Sequence, residues 1–271
     1  MRRKMLRGAA GKRSATSRRR LFSRRKFFAG VLGMPALIAG HAVGIEPGWL
    51  RVERIRLNPE PKFRFVHFTD VHHKGDTALL ERVVSRINEQ EPDFVCFTGD
   101  LVEEAEFASE ALSIVGKINA PLFGIPGNHD FWADMDFDLA REAFAKTGGQ
   151  WLMDQEKEIC GGRIQLYGMS GTEGVAFTPS AGKKNILLTH YPSSIDSITN
   201  TRFDLILAGH SHGGQVRLPW YGAIIVPFGV GEYQLGMYQT PAGPLYVNAG
   251  IGYFYMNIRF CCRPEITVFE I

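Results

Sequence analysis

Five short segments of this chain carry side chains that could hold metal ions. They are Asp70-Val71-His72, Gly99-Asp100, Gly127-Asn128-His129-Asp130, His190, and Gly209-His210-Ser211-His212. Together they offer the carboxylates of Asp70 and Asp100, the amide of Asn128, and five of the chain's eight histidines. Hard oxygen mixed with imidazole suits manganese, iron or zinc better than a thiolate site would. Two carboxylates do not fully neutralise two divalent ions, so such a site stays cationic and fits an anionic substrate. Singly the motifs are weak: Asp-x-His can be a loop with two solvated side chains, and Gly-Asp can be a plain turn. In His210-Ser211-His212 at a strand end, both imidazoles face the same side. The ordered series carries the weight.

That series needs elements that bring its members together. Residues 62–69 alternate as a strand, 93–98 and 121–125 are short apolar runs, and each ends at one of the polar segments. Residues 77–90, 104–118 and 136–146 have apolar side chains at helical spacing. Asp70 to Asp100 is 30 residues and Asp100 to Asn128 is 28, each about one βαβ unit of roughly 30 residues. Parallel strands place their C-terminal ends side by side, where open α/β sheets bind ligands. From about residue 150 the texture changes. Runs at 163–167, 185–189, 204–208, 245–247 and 266–271 are separated by Gly/Pro-rich turns. They predict a second, mixed sheet within one domain. Outside the series, His67 reads as a core strand residue and His73 as an idle surface residue, with substrate contact as its alternative. The aromatic segments 219–228 and 253–260 read as core hairpins, or as an apolar shoulder for a lipid tail.

The 271 residues are 45% apolar and 22% charged, an ordinary globular composition. The net charge of +3 is misleading, because residues 1–41 hold 12 Lys/Arg and no Asp/Glu. The remainder has 19 basic against 28 acidic side chains, a net of −9, which argues against a nucleic-acid partner. Cys96, Cys160, Cys261 and Cys262 form no C-x-x-C pair, so neither a zinc ribbon nor a disulfide framework is expected. A basic segment, 1–26, precedes an apolar one, 27–42, as in an export signal. Ser23-Arg24-Arg25-Lys26-Phe27 resembles the twin-arginine signal, and Gly40-His41-Ala42 offers a cleavage site. The apolar run is short for a transmembrane helix, which needs ~20 residues. The division expected is therefore 1–42 as signal or membrane anchor and 43–271 as the functional domain, exported or held at the membrane. The twin-arginine export machinery would be a partner, and the mature protein a monomer with peripheral membrane contact.

The ordered series, spanning 62–212, resembles the calcineurin-like metallophosphoesterase superfamily. GHSHGGQVRLP, GEYQLGMY, LYVNAGIG and RPEI extend the likeness to a small bacterial branch of exported or membrane-associated phosphoesterases. The resemblance implies a four-layer α/β/β/α sandwich with two mixed β-sheets and a dinuclear metal site. It assigns Asp70, His72, Asp100 and His212 to one metal, and Asp100, Asn128, His190 and His210 to the other, with Asp100 bridging. His129 is then the catalytic imidazole rather than a ligand. The implied activity is hydrolysis of a phosphodiester or phosphomonoester by a hydroxide between two metals, manganese first, iron or zinc otherwise. The substrate is a phosphorylated small molecule or lipid-linked compound; UDP-2,3-diacylglucosamine pyrophosphatase is the alternative activity. Glu103 stands where many relatives carry Asp, so its longer side chain must reach His129 differently. Residues 170–184 look short for a lid. Two other readings are a metal- or phosphate-binding protein without turnover and a metallo-β-lactamase-type hydrolase, but the H-x-H-x-D-H run of the latter is absent.

Overall fold

The computed structural model describes residues 24–171 and 176–271, and side chains from residue 33 onward. The chain divides into two units, Met1–Ala39 and Gly40–Ile271. Helix α1 (Arg24–Gly44) contains Pro35. Among the described residues no helix is long and apolar enough to cross a membrane. The twin-arginine motif begins at Ser23, outside the described residues, and the side chains of 24–32 also lie outside them.

The second unit is organised by two six-stranded sheets. The first contains β1 (Arg51–Arg56), β2 (Arg64–Phe68), β3 (Phe94–Phe97), β4 (Leu122–Gly124) and β5 (Gln150–Trp151). The second contains β6 (Gln155–Ile159), β7 (Ile164–Met169), β8 (Lys184–Thr189) and β9 (Leu205–Ala208). After a two-stranded hairpin, β10 (Arg217–Leu218) and β11 (Gly222–Ala223), it continues with β12 (Gly236–Thr240) and β13 (Gly243–Val247). The last strand is β14 (Glu265–Glu270), which the sequence predicted for the second sheet. It lies instead in the first, between β1, to which it is parallel, and β2, to which it is antiparallel. Side-chain packing accounts for the choice. Phe269 stands opposite Phe65, which stands opposite Phe94, and the three rings stack at centroid separations of 4.9 and 4.8 Å.

That aromatic row belongs to the core between the sheets, where Leu166, Leu188, Leu207 and Tyr246 of the second sheet meet it. The other face of the first sheet is covered by α2 (Thr77–Asn88), α3 (Ala108–Val115) and, after the short α4 (Asn128–Trp132), α5 (Phe137–Lys146). Helix α2 is started by the Asp76 side chain, which accepts from the Leu79 amide, and buries Leu80, Val83, Val84 and Ile87 on one stripe. The helix expected over 104–118 is shorter, because its start tightens into a 3₁₀ turn at Ala105–Phe107. On the outer face of the second sheet, Leu187, Ile206 and Leu245 pack under the 3₁₀ segment Pro192–Ser197 and its flanks. The fourth layer is therefore built of turns and connecting chain, on a fold of two mixed sheets as expected. Strand β6 had no sequence signal: four of its five residues are exposed, so no alternation marks it. Part of the segment expected to lack a lid, 172–175, lies outside the described residues.

Candidate metal centre

The sheets bring all five polar segments to one rim. Asp70 follows β2, Asp100 follows β3, Asn128 follows β4, His190 follows β8 and His210 follows β9. These are C-terminal ends of strands that run parallel within their sheets. The Asp70 and Asp100 loops are zipped together, with the Asp70 amide donating to Gly99 O at 2.9 Å and the His72 amide to Asp100 O at 3.0 Å. Two glycines let the chain approach these carboxylates. A Cβ on Gly127 would strike the Asp100 carboxylate, and one on Gly209 would strike Thr69 and Asp70. Asp70, His72, Asp100, His210 and His212 all have φ between 44° and 65°, left-handed backbone that costs about 1–3 kcal/mol per residue. Asp and His tolerate it better than most side chains.

Each half of the site has its imidazoles fixed from outside. His72 Nδ1 donates to Glu103 Oε2 at 2.7 Å, and His129 Nδ1 to the same oxygen at 3.0 Å. His190 Nδ1 donates to the carbonyl of Thr98, and His210 Nε2 to the carbonyl of Phe228, both at 2.7 Å. With those protons committed, the other ring nitrogens present lone pairs inward. His72 Nε2 lies 3.0 Å from His212 Nε2 and 3.4 Å from Asp100 Oδ2. His190 Nε2 lies 3.1 Å from Asn128 Oδ1, 3.2 Å from Asp100 Oδ2 and 3.1 Å from His210 Nδ1. His212 Nε2 is 3.7 Å from Asp70 Oδ1. Buried electron pairs converging at such distances need positive charge between them. The donors fall into Asp70, His72 and His212 on one side and Asp100, His190 and His210 on the other. His129 stands in a third grouping with His72 and Asp100. The donor chemistry fits two divalent cations sharing Asp100, with each outer ring N–H but one backed by an acceptor. The exception is His212 Nδ1, buried without a partner among the described residues.

The charges of the site are strongly displaced. Burial, opposed by His190, pushes the Asp70 carboxyl up to about 6. Burial would raise Asp100 too, but His190, His72 and His129 together hold it well below the usual carboxylate range. Against its own burial, Asp100 raises His190 to about 9, so a cation bound between them would take the place of a proton on Nε2. Burial, with His190 beside it, lowers His210 to about 4. Burial alone opposes the bonds that His129 and His72 give Glu103, and those bonds bring it down to about 2. Burial works against protonation of His129, yet the Glu103 bond raises it.

Several contributors went unassigned in the sequence. Asp130, the last residue of the Gly127-Asn128-His129-Asp130 segment, was given no role; its fully buried carboxylate accepts the amides of Asp100, Leu101, Val102 and Gly127 at 2.8–3.3 Å. The carbonyls of Thr98 and Phe228 are main-chain groups that no residue type betrays. His67 is buried as expected, with Nε2 2.8 Å from Thr98 Oγ1. His73 is a correction: it is buried, not on the surface, and its Nε2 donates to Glu110 at 2.8 Å, because it pairs as a bridge with Val102 beneath helix α3's Glu110. Above the metal donors lies a cavity of about 330 Å³ bordered by His129, Trp132, Tyr191, Phe228 and Phe254. The His129 ring is held among those of His72, Trp132 and Phe254, at 4.6, 4.7 and 5.1 Å.

Comparison with known proteins agrees with this geometry. The family model described as calcineurin-like phosphoesterase matches residues 63–214. An uncharacterized metallophosphoesterase of Bacillus subtilis, YkuE, is 33% identical over 92% of this chain and 97% of its own length. The phosphodiesterase YaeI of Escherichia coli is 28% identical over 93% of this chain and 100% of its own. The UDP-2,3-diacylglucosamine pyrophosphatase LpxG of Chlamydia trachomatis is 27% identical over 88% of this chain and 94% of its own.

Proposed function

Since the chain belongs to the calcineurin-like phosphoesterase family, we propose that it hydrolyses a phosphodiester or pyrophosphate bond at the rim just described. The observation that carries this reading is the convergence of His72 and His190 on Asp100, with His210 beside His190 in the same donor group. Asp70, His72, Asp100 and His212 would hold one divalent ion, and Asp100, Asn128, His190 and His210 the other. Such a pair supplies Lewis-acid charge to phosphoryl oxygens and lowers the pKa of water. The remaining work falls to the protein. Asn128 Nδ2 is buried without a partner among the described residues, which leaves it free to donate to a phosphoryl oxygen. Glu103 holds His129 by Nδ1 and, against burial, raises its basicity. That favours the protonated ring, whose Nε2–H would be given to the leaving oxygen, a transfer worth about 10²–10⁴-fold. Trp132, Phe228 and Phe254 line the cavity into which that proton is given.

Manganese is the metal of choice for this mixed nitrogen and oxygen set, with iron and zinc the competitors. The protein works as a monomer outside the cytoplasmic membrane or anchored to it. Supporting that location are the 12 basic residues of 1–26, the absence of acids from 1–41 and the apolar run 27–42. Likeness to LpxG over most of both chains favours a second substrate, a nucleotide–lipid pyrophosphate. The test is hydrolysis of bis-p-nitrophenyl phosphate by metal-stripped protein titrated with manganese, iron or zinc. Metal-dependent turnover that disappears in Asp100→Asn is expected. Two tightly bound metals with no turnover on any phosphodiester or pyrophosphate tested would instead make the chain a binding protein.

A further inference from the structure

The segments on either side of the cavity mouth expose large apolar side chains that the core does not need. In the first, Trp220 and Phe228 are fully exposed, Ile225 is 78% exposed and Tyr221 74%. In the second, Tyr255 is 81% exposed and Met256 68%. They are not loose tails. Gln215 donates from Nε2 to the carbonyls of Met256 and Ile258 at 3.0 and 2.9 Å and accepts the Phe254 amide at 3.1 Å. The Arg217 amide donates to Phe260 O at 2.9 Å. The two segments are thus braced into one ledge, and Phe228 and Phe254 carry it into the cavity wall.

We infer that this ledge docks into a lipid bilayer, with Trp220, Tyr221, Ile225 and Tyr255 entering the interface and the cavity opening at headgroup depth. Three features select a bilayer over a protein partner. Trp and Tyr beside aliphatic side chains are the composition of membrane interfaces. Residues 213–231 and 251–263 contain no Asp or Glu, although residues 42–271 carry a net of −9. The acids are kept off the one surface that would meet anionic lipid. Finally, the chain enters the folded unit beside the ledge, where Ala42 O accepts the Arg259 amide at 2.9 Å. The residues preceding that point are the apolar run 27–42 and its basic leader. One weak apolar attachment gives marginal binding and two give stable binding, and the ledge would be the second.

The test needs no turnover, so it stands or falls apart from the phosphoesterase reading. Full-length protein and Trp220→Phe are mixed with vesicles of phosphatidylethanolamine and phosphatidylglycerol (3:1), with and without brominated acyl chains. The emission lost between the two proteins belongs to Trp220. Expected is a blue-shifted Trp220 component, at least halved by bromine. A component that stays red and unquenched while the protein sediments with the vesicles overturns the proposal. Trp220→Ser/Ile225→Ser keeps the circular-dichroism spectrum of the folded protein and raises the lipid needed for half-binding about tenfold. If Trp220 is already blue-shifted without lipid, and light scattering shows a dimer that the double variant dissolves, the ledge is a contact between copies and the proposal fails.

Discussion

The two halves of the metal centre are secured in different ways. On the Asp70 side, His72 is backed by a side chain, Glu103, which also holds His129, and His212 Nδ1 has no partner among the described residues. On the other side, His190 and His210 are both backed by main-chain carbonyls, Thr98 O and Phe228 O. A carboxylate can be removed by substitution; a carbonyl cannot. The second half is therefore tied to main chain, at Thr98 directly after β3 and at Phe228 in the connection between β11 and β12, whereas the first depends on one partly exposed acid that serves two rings. A carboxylate acceptor also makes the backed imidazole a better base.

This difference can be broken or sharpened by substitution. Asp100→Asn strikes both halves, since Asp100 Oδ2 faces His72 and His190 alike. Loss of both metals and a fall in turnover on the order of 10³-fold are expected, measured by metal analysis and by steady-state rates. Asp130→Ala also spares neither half, because four amides of the Asp100 and Gly127 loops lose their acceptor. Urea unfolding should register a loss on the order of 3 kcal/mol or more. Glu103→Ala separates the halves. Affinity for one of the two metals should drop about 10–100-fold, with a titration that resolves one tight and one weak site; equal weakening of both would erase the distinction drawn here. Thr98→Ala leaves the carbonyl in place and should keep two tight metals. The smallest effect is a pH slope. Burial holds the His67 ring down to about 3 against an ordinary 6.5. Below pH 6.5 the unfolded chain takes up a proton that the folded one refuses, so stability present above 6.5 is lost as pH falls toward 3. His67→Gln should flatten the decline of Tm across that window.

Much of this was legible in the residues. Helices α2 and α5 announced themselves by apolar spacing, and the structure adds their starts, Asp76 and Asp136, each of which accepts a first-turn amide. The five polar segments stood at the ends of apolar runs, and the sheets do carry them to one rim. What stayed hidden was non-local or not a side chain. The run 266–271 looks the same whichever sheet it joins, and only the stacking of Phe269 on Phe65 decides. Strand β6, QEKEI, shows solvent on four residues and has no pattern to read. Glu103 stood out as a departure from the resemblance, but its double reach to His72 and His129 depends on how the loop after Asp100 is pinned by Asp130. His73 misled because a charged-looking loop residue can be buried when a helix supplies its acceptor, here Glu110.

The placement of β14 has a consequence for when the protein can exist at all. Among the described residues, β1 pairs only with β14, and β14 alone joins β1 to β2. On the ribosome, β14 emerges after every other described element of the domain, so the sheet that bears Asp70 and Asp100 is left with a gap until translation has passed it. Contacts of such sequence separation form late and slowly. The nascent chain would spend that time with β2 as an open strand edge, a natural client for a chaperone. Ribosome-stalled chains ending before residue 265 should be more sensitive to protease at β1 and β2 than chains that include β14.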